Sequence, residues 1–533
     1  MNVMNDRRRV LVSRRDLLKA GGLSAVALGM GAMAGGPRLL DAFGRPSTAR
    51  AADPEPEPNL KLVGTDGWIS LPALPRIFSK SLGVWTHPDP YAPEDRSTYI
   101  FGFANATGMS NVDQFRLKNK AQHNAPLFWA REGEEFRVQL TNVGLAQRPD
   151  LFDEHTVHWH GFKNVIPFFD GEPTGSISIP QGQSFTYVYK SHDPGTYMYH
   201  CHVEDTEHVH MGMTGLVFVR PAQDGTAKDV TYRIGTGAGV TAGSNTVDDT
   251  STTALDLGRR VTISGAGAPA DRLIVAVTPG VGFEFSGAAS TVTDAAATVT
   301  IYKRFTTFAY NDGDGSTGFD REYAMFLSEV WCDSHWADAH IQLPEWSDYR
   351  ADFSLLNGRV YPETLLPNGS IAHDGTFVVT PARDANDDLM PPPGADNLGN
   401  QPLSALITAN AGERVLLRFA NLGFMEAALT VAGIKLRVVG RDATLMRGRT
   451  NVGTAYETNT LSFGAGESFD AIFEAPPHSG GSRPDTYVLY NRAYDRADNL
   501  VGTGGGQRTE IRIYPVGTLP AQAYPNQHPD DAA

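Results

Sequence analysis

Cysteine is almost missing from this chain. Only Cys201 and Cys332 occur among its 533 residues. Exported domains that are too small to form a sufficient core are held by several disulfides, and two cysteines cannot build such a scaffold. A chain of this length can bury enough apolar surface to fold without one. If Cys201 binds a metal, Cys332 is left as a free thiol, which is most often a small buried apolar residue.

Positive charge is also in short supply. The chain has 45 Lys and Arg residues against 60 Asp and Glu residues, which gives a formal net charge of −15 at pH 7, and its basic residues are spread along the sequence. Sequence-independent binding to nucleic acid needs a basic face that displaces counterions. We therefore expect no nucleic-acid partner.

The N-terminal apolar stretch does not amount to a membrane span. The segment Ala20–Ala34 is short and rich in Gly and Ala, unlike a transmembrane helix. It follows the paired arginines Arg14–Arg15, and the combination resembles a twin-arginine export signal. We expect residues 1–51 to be a signal peptide and leader, cleaved after Ala34 or, preferably, after Ala51. The protein would then be periplasmic, secreted or attached to the cell surface.

Long helical periodicity is scarce, whereas strand patterns recur. The chain has 55 Gly and 34 Pro residues, and β-branched residues occur in short runs. In "GEEFRVQLTNVG", apolar side chains alternate at Phe136, Val138 and Leu140, which is typical of a strand with one buried face. The sequence predicts an all-β fold of Greek-key sandwiches.

Changes in composition divide the chain after the leader. Residues 60–222 contain most of the histidines and form the first predicted sandwich. Residues 223–315 are rich in Thr, Ala, Gly and Asp, and we expect a small inserted β domain of immunoglobulin-like character. Residues 316–518 show strand patterns again and predict a second sandwich, and residues 519–533 form a polar tail.

The segment "YHCHVEDTEHVHMGM", residues 199–213, combines histidine, cysteine and methionine. A thiolate, two imidazoles and a distant thioether are the ligands of a blue, type 1 copper centre. Cys201 is the candidate thiolate and Met213 the candidate thioether. One imidazole would come from His208 or His210, and we favour His208 because His210 would require a tighter loop.

The second imidazole is expected from the separate segment "EHTVHWHG". On an extended strand, residues at even spacing share a face, so His158 and His160 point the same way and His155 points to the other side. The same alternation separates His200 and His202 from Cys201. One face would then hold His155 and Cys201, and the opposite face would hold the remaining histidines.

These two segments resemble a multicopper oxidase cupredoxin domain, and "LLNGRVYP" and "GAGESFDAIFEAPP" resemble the metal-free second cupredoxin domain of laccases. The resemblance implies a type 1 site formed by His155, Cys201, His208 and Met213. It implies a type 2 ligand at His158 and type 3 ligands at His160, His200 and His202. It also implies copper as cofactor, a small-molecule or metal-ion electron donor, dioxygen as acceptor and a homo-oligomer.

The second cupredoxin region departs from the family pattern. The family's trinuclear cluster takes half of its histidines from another cupredoxin domain, but the corresponding strands here read "EAALTVAG" and "YVLYNRAYD". Three alternatives stay open. A second chain could supply the missing histidines. The chain could resemble copper nitrite reductases, which would use His160 and His200, although His158 replaces their catalytic aspartate. Or it could be a non-catalytic electron-transfer or copper-binding protein with one working centre.

Overall fold

A computed structural model of the chain describes residues 56–72, 76–264, 272–372, 378–500 and 504–531. The predicted signal peptide and its two cleavage positions lie outside these residues. The all-β fold class predicted from the sequence is confirmed. No helix in the described ranges is long and apolar enough to cross a membrane.

The first sandwich packs two sheets face to face. One sheet has the strand order β4-β1-β6-β8, and the other has the order β19-β20-β5-β10-β9-β7. Their bounds are β1 Leu60–Ser70, β4 Ser97–Asn105, β5 Ala125–Arg131, β6 Glu135–Asn142, β7 His158–His160, β8 Ser184–Lys190, β9 Gly195–His200, β10 Thr214–Arg220, β19 Ile371–Ala372 and β20 Val378–Pro381; a separate hairpin is formed by β2 Ile77–Ser79 and β3 Val84–His87.

The core of the first sandwich follows from side-chain alternation. Phe136, Val138 and Leu140 of β6 are buried, as the sequence predicted, and they pack against Phe128 and Trp159 of the opposite sheet. Such interdigitation of two inner faces is what closes a β-sandwich. The site-bearing strands β7 and β9 are therefore held by a continuous apolar core.

Strands β19 and β20 come from the region assigned by sequence to the second sandwich. Residues Val378 and Val379 pair with Phe128 and Leu127 of β5. An edge strand exposes unpaired backbone groups, and an added strand satisfies them. Strands β19 and β20, from the later part of the chain, thus form one edge of a sheet in the first sandwich.

The inserted domain is a closed six-stranded barrel rather than an immunoglobulin-like sandwich, with the strand order β11-β12-β15-β14-β13-β16. Its strands are β11 Lys228–Val240, β12 Thr246–Asp248, β13 Arg260–Ile263, β14 Arg272–Thr278, β15 Gly282–Phe285 and β16 Asp294–Phe305. The pairing of β11 with β16 shifts register at three points. Bulges bend and twist a strand, which allows the sheet to close on itself.

The second sandwich also has two sheets around one apolar core. The strands of the first sheet are β17 Arg321–Val330, β18 Phe353–Leu356, β22 Arg414–Asn421, β24 Leu436–Arg441, β25 Thr444–Leu445, β26 Tyr456–Thr458 and β28 Ser468–Glu474. Those of the second are β21 Ile407–Asn410, β23 Ala427–Val431, β27 Thr460–Phe463, β29 Asp485–Asn491 and β30 Arg508–Tyr514.

Helical structure within the described ranges is short. The α-helices are α1 Asp205–Met211 and α2 Cys332–Ala339. Single 3-10 turns occupy Asp113–Leu117, Pro167–Phe169, Ala254–Asp256, Trp346–Asp348, Glu363–Leu365, Asp396–Leu398 and Tyr494–Arg496. Helix α1 carries part of the candidate metal site. Helix α2 packs against the first sandwich through Cys332, which belongs to the same buried apolar cluster as Ile100 of β4.

A buried ion pair network joins the two sandwiches. Arg418 is fully buried and donates from Nε to Glu322 Oε2 at 3.0 Å and from Nη1 to Asp470 Oδ1 at 3.3 Å. Asp470 also accepts hydrogen bonds from Thr196 of the first sandwich, at 2.6 Å, and from Tyr310, at 2.5 Å. Removing one partner of such a network leaves the others as uncompensated buried charges.

We predict that Arg418→Met lowers the free energy of unfolding by about 3–5 kcal/mol, because the buried Asp470 carboxylate loses its guanidinium partner and Glu322 is left with its ion pair to Arg220. Chemical denaturation followed by fluorescence measures the change. Arg304→Met is the matched control, since Arg304 makes an exposed ion pair with Asp229, and it should cost less than about 1 kcal/mol. Equal effects of the two variants would contradict the role assigned to the network.

Candidate metal centres

Strand pairing brings the two histidine-rich segments together. In the antiparallel pairing of β7 with β9, His158 lies opposite His200 and His160 lies opposite Met198. His155 precedes β7 and forms an isolated bridge with Ile179. Because side chains alternate across a strand, the histidines of β7 and β9 face one side of the sheet.

The first group consists of His155, Cys201 and His208, whose potential ligand atoms all lie within 4.8 Å of one another. All three residues are fully buried. The Cys201 Sγ atom lies 3.2 Å from His208 Nδ1, and the rings of His155 and His208 are 5.2 Å apart between centroids. The structure therefore assembles a thiolate and two imidazoles from three separate parts of the chain.

Helix α1 and the turn after it carry the remaining members of this group. The sequence predicted a loop here, but a helix presents His208 and ends at Met211. Gly212 caps it with a φ of +118°, which favours glycine. The chain then returns, so that the Met213 N–H donates to His208 O at 2.9 Å and the Cys201 N–H donates to Met213 O at 3.0 Å. Met213 is fully buried, as an axial thioether requires.

Gly64 of β1 gives this group its space, and sequence reasoning missed it. A Cβ atom at this position would lie 2.7 Å from His155 Cδ2 and 3.4 Å from Met213 Cε. A glycine inside a strand often marks a close approach of the backbone to another group. The only sign of this close approach in the sequence was the pair of strand glycines, Gly64 and Gly67, in "LVGTDGW".

A backbone hydrogen bond to the thiolate is the second feature that the sequence did not reveal. The Thr156 N–H points at Cys201 Sγ at 3.4 Å, and the Thr156 hydroxyl oxygen accepts from the His202 N–H at 2.9 Å. Hydrogen bonds to a ligating sulfur tune the metal that it binds.

Without metal, the electrostatics of the first group favour a deprotonated Cys201 and a protonated His208, as the direction of each pKa shift indicates. Burial raises the pKa of Cys201, but the imidazoles of His208 and His155 outweigh it and hold that pKa well below the usual range. Burial lowers the pKa of His208, but the thiolate and the Asp153 carboxylate raise it to about 10. A preformed thiolate is the species that binds a metal ion.

The second group consists of His158, His160 and His200, and each offers one ring nitrogen within 4.8 Å of those of the others. His160 Nδ1 lies 3.3 Å from His200 Nε2. Burial lowers the pKa of His200 to about 3 and also lowers the pKa values of His158 and His160. These side chains are therefore neutral at neutral pH, which is the form in which imidazole binds metals.

His202 and His210 lie outside these two groups. The half-buried ring of His202 rests against those of His158 and His200, with centroids 4.9 and 5.5 Å apart. His210 is turned away from Cys201, and its Nε2 accepts a hydrogen bond from the Trp331 N–H at 3.1 Å. Of the two candidates His208 and His210, the structure places His208 beside the thiolate.

The donor sets fit copper. One buried thiolate, two imidazoles and a nearby thioether match a type 1 copper site, whereas imidazoles alone suit several transition metals, including copper. His200 and Cys201 are consecutive in the chain and belong to different groups. A covalent path through a single peptide bond therefore links the two centres.

Comparisons with known proteins agree with this assignment. Residues 112–224 match the family model described as multicopper oxidase. Laccase 1 of Metarhizium acridum is 34% identical over 103 residues, or 19% of this chain and 15% of that protein. The multicopper oxidase MmcO of Mycobacterium tuberculosis is 38% identical over 78 residues, or 15% of this chain and 14% of that protein.

The solved blue copper oxidase of Nitrosomonas europaea aligns with 85% of both chains at 17% identity, with a TM-score of 0.45. The matches to Laccase 1 and MmcO span only 15% and 14% of those proteins. The matched segment of this chain contains both histidine groups, so the resemblance inferred from the sequence is confirmed there.

We predict that Gly64→Ala reduces the blue absorption of the copper-loaded protein at least severalfold, because the added methyl group collides with the His155 ring. Gly453→Ala is the control, since a Cβ at Gly453 meets nothing within 4 Å. Absorption per bound copper should change only in the Gly64 variant. An unchanged blue band in Gly64→Ala would show that His155 is not a ligand held at this position.

Proposed function

We propose that this chain, whose residues 112–224 match the multicopper oxidase family model, is a copper-dependent oxidoreductase. His155, Cys201, His208 and Met213 would hold a type 1 copper, which would accept single electrons from a donor. The second group, His158, His160 and His200, would hold copper that supplies the site of dioxygen reduction. The observation that carries this proposal is the junction between His200 and Cys201, which joins the two groups through the backbone.

Copper is the cofactor, and copper held by a thiolate, imidazoles and a thioether supplies reversible one-electron chemistry. The protein supplies the rest. Full burial of Cys201 and His208 excludes water from the sulfur, and the Thr156 N–H stabilises the thiolate. The Cys201 carbonyl accepts a hydrogen bond from His200 Nδ1 at 2.8 Å, so the same residue also orients a member of the second group.

The donor is proposed to be a small molecule or a metal ion. Asp153 supports an approach of the donor along the outer edge of His208. The Asp153 Oδ2 atom lies 3.8 Å from His208 Nε2, and the Asp153 side chain is partly exposed. A carboxylate there attracts a cationic donor and accepts a proton from a hydroxylated one. Oxygen uptake with a metal-ion donor and with a phenolic donor distinguishes the two classes.

The central test replaces the thiolate. Cys201→Ser should abolish the blue absorption and lower donor-dependent oxygen consumption by at least 100-fold, because no other thiolate lies in either histidine group of the described residues. Cys332→Ser is the matched control, since Cys332 is equally buried but belongs to neither histidine group.

The control should retain both signals. A wild-type protein that loads copper and turns blue yet consumes no oxygen with either donor class would contradict the oxidase proposal. That result would favour an electron-transfer or copper-binding protein.

We also propose export through the twin-arginine pathway, on the strength of Arg14–Arg15 and the apolar segment after them. Replacing both arginines with lysine should keep the full-length protein in the cytoplasm, as judged by fractionation and immunoblotting. Export at the wild-type level would contradict the proposal. Formation of a homo-oligomer also stays a prediction, which sedimentation of the copper-loaded protein can check.

A further inference from the structure

A cleft opens between the inserted barrel and the second sandwich. Its volume is about 370 Å³, within the range of about 300–1,000 Å³ that is usual for small-molecule sites. Strands β11 and β16 of the barrel contribute side chains to it, as do β22, β24 and β28 of the second sandwich. None of the residues that line it belongs to either histidine group.

The lining of the cleft is basic, although the chain as a whole carries a net charge of −15. Its charged residues are Arg259, Lys303, Arg414, Lys435, Arg437, Glu457 and Glu474. Lys303 pairs with Asp320, Arg259 with Glu474 and Lys435 with Glu457, at N–O distances of 2.5, 3.6 and 3.9 Å. Within the described ranges, Arg414 and Arg437 form no ion pair. Two positive charges of the cleft are therefore not balanced by a carboxylate.

Arg414 and Arg437 meet at one backbone carbonyl group, which also lines the cleft. Arg414 Nη2 donates to Ser316 O at 2.6 Å, and Arg437 Nη1 donates to the same oxygen at 3.4 Å. A guanidinium has five N–H donors, and in the described part of the chain neither side chain makes another hydrogen bond. Both residues are half-buried, so the remaining donors are open to a ligand that enters the cleft.

The two guanidinium groups repel each other. Burial lowers the pKa of Arg414, and the charge of Arg437 lowers that pKa further, against the opposing effect of the Asp320 carboxylate. An arginine side chain stays protonated in proteins, so loss of a proton does not relieve the repulsion. An anion bound between the two groups removes this cost, because each cation then has an opposite charge beside it.

The barrel holds the arginine side chain of β22 in place. Arg414 Cζ lies 4.8 Å from the centroid of the Phe305 ring, and Lys303 Nζ lies 5.4 Å from the same centroid. A cation over an aromatic ring is attracted to its face. The Arg414 backbone N–H also donates at 2.6 Å to Asp320 Oδ2, the oxygen that pairs with Lys303. Donors that are already held in position lose less entropy when a ligand binds.

We propose that this cleft binds a divalent oxyanion of the phosphate class, free or carried by a small molecule, between Arg414 and Arg437. A phosphate group carries a charge of about −1.5 to −2 near pH 7, which matches two unbalanced guanidinium groups. The planar fork of an arginine donates two parallel hydrogen bonds to such a group.

The bound anion links the barrel to the second sandwich, since Lys303 and Tyr232 of the barrel line the same cleft. The site contains no candidate copper ligand. This inference goes beyond the proposed function and does not depend on it.

Calorimetric titration of the copper-loaded full chain with inorganic phosphate, at constant ionic strength, is the first test. We expect one phosphate per chain with a Kd of about 1 mM or lower. Phenyl phosphate is titrated in parallel. Tighter binding of phenyl phosphate supports a site for a phosphorylated small molecule, and tighter binding of inorganic phosphate supports a site for the free ion. Absence of saturable binding of both would overturn the proposal.

The position of the site is tested with Arg437→Gln, which removes one guanidinium and should weaken phosphate binding at least tenfold. Arg449→Gln is the matched control, because Arg449 is an exposed arginine of the second cupredoxin region that does not line the cleft. It loses the same charge and should bind phosphate as the wild type does. Equal affinities of Arg437→Gln and the wild type would overturn the proposal.

Arg437→Lys covers the case in which Arg437→Gln fails to fold. It keeps the positive charge but loses the planar fork, so its affinity for phosphate should fall severalfold. Phosphate should also raise the midpoint of thermal unfolding less in this variant than in Arg449→Gln, because a ligand that binds only the folded state stabilises it in proportion to its affinity. Wild-type affinity and an equal rise of the midpoint in Arg437→Lys would overturn the role of Arg437.

Discussion

The antiparallel pairing of β7 with β9 is the constraint on which both metal groups depend. It places His158 opposite His200, and the strict alternation of a strand then separates these imidazoles from Cys201, the next residue in the chain. A slip by one residue would exchange the two faces and dismantle both groups. The buried core beneath, with Trp159 and Tyr199 in contact, makes that slip costly.

Much of this arrangement could be predicted from the sequence. The side of the sheet that each ligand side chain faces follows from the spacing of His155, His158 and His160 and from the triplet around Cys201. A two-residue period gives this without any knowledge of tertiary contacts. The fold class followed from similar alternation, as at Val138. The closed barrel of the inserted domain did not follow from the sequence. Its closure depends on bulges in β11, and the glycine-rich sequence does not specify where they occur.

Contacts from distant parts of the chain could not be predicted. Gly64 and Gly466 are far from the metal-binding motifs in sequence, and each matters through the absence of a side chain beside a histidine ring. The choice between His208 and His210 likewise depended on a helix, α1, that turns one imidazole toward Cys201 and the other toward Trp331. Such effects arise from packing, which periodicity does not encode.

Reoxidation of the reduced protein tests the central claim, that electrons leave Cys201 through the second histidine group. Copper-loaded protein is reduced without oxygen and then mixed rapidly with dioxygen while the blue absorption is followed. The account predicts that the band returns quickly in the wild type and at least 100-fold more slowly in His158→Ala, although both proteins hold type 1 copper. Equal rates of return would contradict it, because dioxygen would then be reduced without the second group.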